Sequence, residues 1–130
     1  MAQCIISLIL LSFVACNVFV GAYRCYHYGH ANGCSIEVKG KSLPYFYKRK
    51  FTPSCNKHDI CYSCANTYHV NRLYCDRKFY YNMMNACKNN YVCKLFPLDY
   101  YTAVKAFGKS HFPAKSPSWC RDYWVKYCLY

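Results

Sequence analysis

The chain has 130 residues, room for one small domain, and carries 17 Lys and Arg against 5 Asp and Glu for a formal charge of +12. Its 12 cysteines point to a disulfide scaffold in an oxidising compartment and argue against a cytosolic enzyme. An apolar fraction of 55% excludes a disordered tail, and so few acids exclude a metal cage built from many carboxylates.

Residues 1–22 contain no Lys, Arg, Asp or Glu and close on Val20-Gly21-Ala22, small residues suited to a signal peptidase. This predicts a signal peptide and a secreted, extracellular domain over 23–130. A retained anchor is the alternative, since ~20 apolar residues can span a bilayer, but Gln3, Ser7, Ser12 and Asn17 weaken such a helix. Removing the segment takes Cys4 and Cys16 and leaves ten cysteines. An even number fits five bridges, with about 945 possible pairings.

Residues 23–50 read as irregular, punctuated by Gly29, Gly33, Gly40 and Pro44 and closing on the basic run Lys48-Arg49-Lys50. Thr52-Pro53 has the form of a helix start, a cap followed by Pro at the first helical position. From there Cys55, His58, Cys61, Tyr62 and Ala65 recur at helical spacing and predict a helix over about 53–67. A second helix is expected over about 71–88, with Leu73, Asp76, Tyr80, Met83 and Cys87 on one inward face. The short link between them requires antiparallel neighbours. In the tail, Pro97, Gly108, Pro113 and Pro117 allow short helices only. The fold class is therefore mainly α: two antiparallel disulfide-linked helices carrying the site, an irregular N-terminal loop and short C-terminal helices.

The chemistry concentrates in Cys55-Asn56-Lys57-His58-Asp59-Ile60-Cys61-Tyr62. Adjacent residues on a helix point about 100° apart, so His58 and Asp59 serve separate tasks. Asp59 offers oxygens to a hard cation, and His58 suits a base that works near neutral pH. A helical base needs a group that fixes its tautomer, and Asp76 on the second helix is the candidate. Cys61 and Cys75, each within a turn of these groups, are suited to bridging the two helices. The Cys61-x-x-Cys64 pair also has redox or zinc spacing. It falls mid-helix, however, where no helix N-terminus lowers a thiol pKa.

This string resembles the active-site helix of secreted phospholipases A2. Together with Asn32-Gly33-Cys34-Ser35, the run from Pro44 to Tyr62, and the run from Cys75 to Cys87, it resembles the conodipine and bacterial or fungal branch of that superfamily. The resemblance implies His58 as catalytic base, Asp76 as the carboxylate that orients it, and Tyr62 as support for that carboxylate. It implies Asp59, Asn32 and Gly33 as the calcium (Ca2+) site, and the bridges Cys34–Cys55 and Cys61–Cys75. The chain departs from the better-known animal enzymes: Ser54 stands where they have a first Cys, only ten residues separate Cys64 from Cys75, and the glycine-rich calcium loop is reduced to Asn32-Gly33-Cys34-Ser35. A neutral Asn32 amide in place of a carboxylate weakens a calcium site.

What the resemblance implies is hydrolysis of the sn-2 ester of phospholipids by a venom enzyme. The alternative is a toxin on the same scaffold with weak or no turnover, acting by membrane or receptor binding. The charge of +12 favours an anionic phospholipid surface over nucleic acid, for which no motif appears. Tyr-rich stretches such as Tyr45-Phe46-Tyr47 and Tyr100-Tyr101 suit the headgroup level or a buried core.

Overall fold

The computed structural model describes Cys25, residues 29–35, two short strands and residues 46–129. The expected signal peptide lies outside the described residues, as does much of the stretch read as irregular. Strands β1 (Glu37–Val38) and β2 (Lys41–Ser42) pair antiparallel, with Glu37 opposite Ser42. The rest is helical: α1 (Lys48–Cys64), α2 (Arg72–Cys87), α3 (Pro97–Phe107) and a closing turn α4 (Lys126–Leu129), joined by short 3-10 segments.

Helix α1 begins five residues earlier than Thr52-Pro53 predicts. Thr52 is not its cap. The Thr52 hydroxyl donates to the Lys48 carbonyl at 2.9 Å, and Pro53 is the sixth helical residue. Tyr47 in the left-handed region (φ 61°) turns the chain into the helix, and the Phe51 N–H closes the first bond to Tyr47 at 3.0 Å. Pro53 leaves the Arg49 carbonyl without its usual donor, but Arg49 is exposed and water can serve there. The added turn buries Phe51 completely, edge-on to Tyr100 with ring centroids 5.2 Å apart. That burial offsets the misplaced proline.

Helix α2 starts where expected. Asn71 is its N-cap, and the Asn71 side chain accepts from the Tyr74 N–H at 2.8 Å. Its inward face differs by a small rotation from the expected stripe. Cys75, Asp76, Phe79, Met83 and Cys87 are buried, whereas Leu73 is exposed and Tyr80 half-buried. Phe79, at 3.6-residue spacing from Asp76 and Met83, takes the place that Leu73 does not fill. Helices α1 and α2 run antiparallel: Cys61 is bridged to Cys75, while His58, earlier on α1, contacts Phe79, later on α2. Pro97 opens α3 at its first turn, where its missing N–H is harmless.

The core is in two parts. One gathers Ile60, Tyr62, Trp124, Val125 and Leu129, and the other gathers Phe51, Phe79, Met83, Tyr100 and Val104. Among the described residues five bridges run through them: Cys25–Cys128, Cys34–Cys55, Cys61–Cys75, Cys64–Cys120 and Cys87–Cys93. In the chain-entropy account a loop near 15 residues contributes about 3 kcal/mol and one near 100 about 4.7 kcal/mol. These match the separations of 14 for Cys61–Cys75 and 103 for Cys25–Cys128. Among the described residues no helix is long and apolar enough to cross a membrane. Removing the α2 cap with Asn71→Ala should lower the stability by about 1 kcal/mol, read as a lower urea midpoint at an unchanged slope.

Candidate active site

The antiparallel helices bring three expected residues to one point. The His58 Nε2 lies 2.9 Å from the Asp76 Oδ1, and the Tyr62 hydroxyl donates to the same oxygen at 2.6 Å. All three side chains are buried, with Asp76 at 1% and His58 at 7% exposure. A carboxylate accepts only, so the Nε2 carries the proton and the Nδ1 is left as the basic ring nitrogen. The His58 ring is held between Tyr62, 4.1 Å away, and Phe79, 4.6 Å away, centroid to centroid. The other Asp76 oxygen, Oδ2, makes no hydrogen bond among the described residues and has the Arg72 guanidinium 3.9 Å away. Arg72 also donates to the carbonyls of Val104 and Lys105 at the end of α3, where the helix dipole favours a cation. Burial pushes the Tyr62 phenol above its usual range, and its bond to Asp76 adds to the rise.

Tyr62 is held from behind by a residue that the sequence does not mark. A Cβ on Gly108 would overlap the Tyr62 hydroxyl and lie 3.2 Å from its Cζ. Gly108 therefore lets the end of α3 close on the phenol and aim it at Asp76. A glycine after a helix reads as an ordinary helix stop, and nothing in the sequence ties it to Tyr62.

His58, Asp59 and Tyr62 line a cavity of about 370 Å³ whose far wall is Val104, Phe107 and Gly108. The loop 29–35 forms the remaining side. Three features hold it there. Cys34 is bridged to Cys55, the His30 ring stacks on Trp119 at 4.1 Å with planes 5° apart, and Gly33 adopts φ +74° against Thr52. Asn32 reaches Asp59 through its backbone N–H, which donates to the Asp59 Oδ2 at 3.1 Å. The Asn32 side-chain oxygen accepts from the Ser35 hydroxyl at 2.7 Å, and the Gly33 carbonyl accepts from the Ser35 N–H at 3.0 Å. Of the two expected calcium-loop residues, Asn32 thus sits beside Asp59 while Gly33 packs toward Thr52 and Asn56, and the oxygen each would offer already accepts one hydrogen bond.

The calcium implied by the resemblance can be tested against this donor set. Burial raises the Asp59 carboxyl to about 6, against the pull of the Asn32 N–H, His58 and His111. Among the described residues no Lys or Arg pairs with it, so its charge is undercompensated. The nearby donors are oxygens of Asp59, Asn32 and Ser35 and the peptide carbonyls of the loop, and no trio of His, Cys, Asp or Glu gathers among the described residues. This set fits a hard dication held by one protein charge, and it does not fit zinc.

The chain is similar to the conodipines. It is 37% identical to conodipine-P3 and 36% identical to conodipine-P2 and conodipine-P1, all from Conus purpurascens, over 59 residues in each case. The matched stretch is 45% of this chain and 30% of each conodipine. No family model matches, and no solved structure matches.

Two outcomes follow from the packing and the charge. Gly108→Ala should lower the thermal midpoint by an amount equivalent to about 1–3 kcal/mol. Part of the loss should return in Gly108→Ala/Tyr62→Phe, which removes the colliding hydroxyl. For Asp59, the folded value lies above the ordinary 3.8, so the fold binds the proton more tightly than the unfolded chain does. Stability without metal should therefore fall as pH rises from about 4 to about 6 and level off above. Asp59→Asn, which keeps the acceptor for Asn32, should flatten that slope in denaturation measured with chelator.

Proposed function

We propose that this chain is a secreted, calcium-dependent phospholipase A2 of conodipine type, a venom component that hydrolyses the sn-2 ester of phospholipids to lysophospholipid and fatty acid. The observation that carries this reading is the His58–Asp76 pair, 2.9 Å apart, with His58 lining a cavity that Asp59 also lines and Asp76 buried behind it. The Nδ1 of His58 takes a proton from a water, and that water attacks the ester carbonyl. Asp76 keeps the other ring nitrogen protonated and stabilises the imidazolium as it forms. Tyr62 fixes the carboxylate so that it cannot swing away from the ring. Asp59, with amide and peptide oxygens of the 29–35 loop, would hold the calcium. When bound, calcium supplies positive charge for the lipid phosphate and for the oxyanion. No side-chain nucleophile takes part, so no acyl-enzyme forms. The substrate is met on an anionic phospholipid surface, and nucleic acid has no role.

One observation favours a second reading, a scaffold with little or no turnover. The Asn32 N–H occupies an Asp59 oxygen that a cation would use. Fatty-acid release from phospholipid vesicles, measured with calcium and with excess chelator, separates the two. The enzyme reading expects release that needs calcium, falls by at least a hundredfold in His58→Gln and Asp59→Asn, and falls less in Tyr62→Phe. Calcium-independent vesicle leakage that is equal in wild type and both variants would establish the second reading instead.

A further inference from the structure

At the end of the bundle where α1 starts and α2 stops, large apolar side chains stand in water. Tyr91 is 81% exposed, Leu95 70%, Phe46 69%, Val92 60% and Leu98 58%. All of these but Phe46 fall within the eight residues 91–98, and the fold holds that segment stiffly. Cys87–Cys93 closes it at its base, the Asn90 side chain accepts from the Cys93 N–H at 2.9 Å, and a 3-10 turn over Cys93–Leu95 leads into Pro97. Phe46 joins it from the other side of the sequence. Its ring lies 5.1 Å from Phe96, and its carbonyl accepts from the Tyr100 hydroxyl at 3.0 Å.

Cations surround this tip. Lys48, Arg49 and Lys50 follow Phe46-Tyr47 and are exposed, Lys88 is exposed, and the Lys94 ammonium lies 5.5 Å over the Tyr91 ring. Over 46–50 and 88–99 the single acid is Asp99. We infer that this tip is a docking surface for an anionic phospholipid bilayer. Its apolar side chains enter the acyl boundary, Tyr91 settles at the headgroups, and the cations meet lipid phosphates and carboxylates. A second copy of the chain fits poorly, because it would bring two cationic rims together. The stiff segment loses little freedom on docking.

This inference deepens the lipase reading by naming the surface on which the substrate is met, yet it stands on different residues. His58 lies ten residues into α1, about 15 Å from the helix start at 1.5 Å per residue. Variants at the tip should therefore change partition to vesicles and leave untouched the turnover of a short-chain phospholipid dispersed as monomers.

The test is cosedimentation of the full chain with vesicles of two parts phosphatidylcholine to one part phosphatidylserine, and with phosphatidylcholine alone. Binding to the anionic vesicles should be at least tenfold tighter and should weaken as salt is added. Leu95→Ser/Leu98→Ser should lose at least tenfold of that binding with an unchanged circular dichroism spectrum, and Lys88→Gln/Lys94→Gln should flatten the salt dependence. His58→Gln should bind vesicles like the wild type, and a wild type that docks but hydrolyses nothing sinks the enzyme reading and spares this one. Equal binding by the leucine variant, or equal binding to both vesicle types, overturns the inference. So does a concentration-dependent dimer that the leucine variant abolishes in a chain that ignores vesicles.

Discussion

A carboxylate withdrawn from water sets the terms for the rest of this molecule. Asp76 is 1% exposed, and an acid that far from solvent is tolerated only when its charge is matched by donors. Two donors converge on one of its oxygens, an imidazole and a phenol from the facing helix. They can do so only while α1 and α2 keep their register, and the Cys61–Cys75 bridge fixes that register one residue away on the acid's side. The same acid is tied to the end of α3 through its partners. Gly108 permits the close approach that aims Tyr62, and Arg72 joins the α3 carbonyls to the acid's second oxygen at a distance that leaves the charge only partly matched.

Asp59 is the contrasting case. It follows His58 in the chain but looks out at the loop 29–35 and away from the imidazole's partner. Among the described residues its one hydrogen bond comes from a backbone N–H, and burial makes its charge costly. In sequence, one helical step separates the imidazole, whose acid partner takes two donors on one oxygen, from an acid left in need of a counter-charge. That division of labour is what a hydrolytic site with a separate cation would require, and it sits in the part of the fold stapled by Cys34–Cys55.

Much of the site was legible because its information is local. The helical spacing places a second helix from about Asn71, the short link to it forces antiparallel packing, and the string from Cys55 to Tyr62 carries His58, Asp59 and Tyr62 at fixed angular offsets. The start of α1 was not legible from Pro53, because the burial of Phe51 overrides a proline's local preference. The inward face of α2 was misread at Leu73, since periodicity gives the stripe but not its exact rotation when Phe79 competes for the same space. Gly108 and the α3 wall were invisible for another reason. They meet Tyr62 and His58 across some fifty residues of chain, and no spacing rule reaches that far. The exposed tip was hidden likewise, since composition reports how many tyrosines and leucines there are and not which ones the core leaves out.

One bridge has a topological effect beyond its contribution to stability. Cys25–Cys128 spans 103 positions and encloses the four other linkages among the described residues. The polypeptide between these two sulfurs is thus a covalent ring. A protease that severs a single peptide bond anywhere around that ring opens it without liberating a fragment, and the nicked molecule keeps its mass, apart from one added water, until a reductant is supplied.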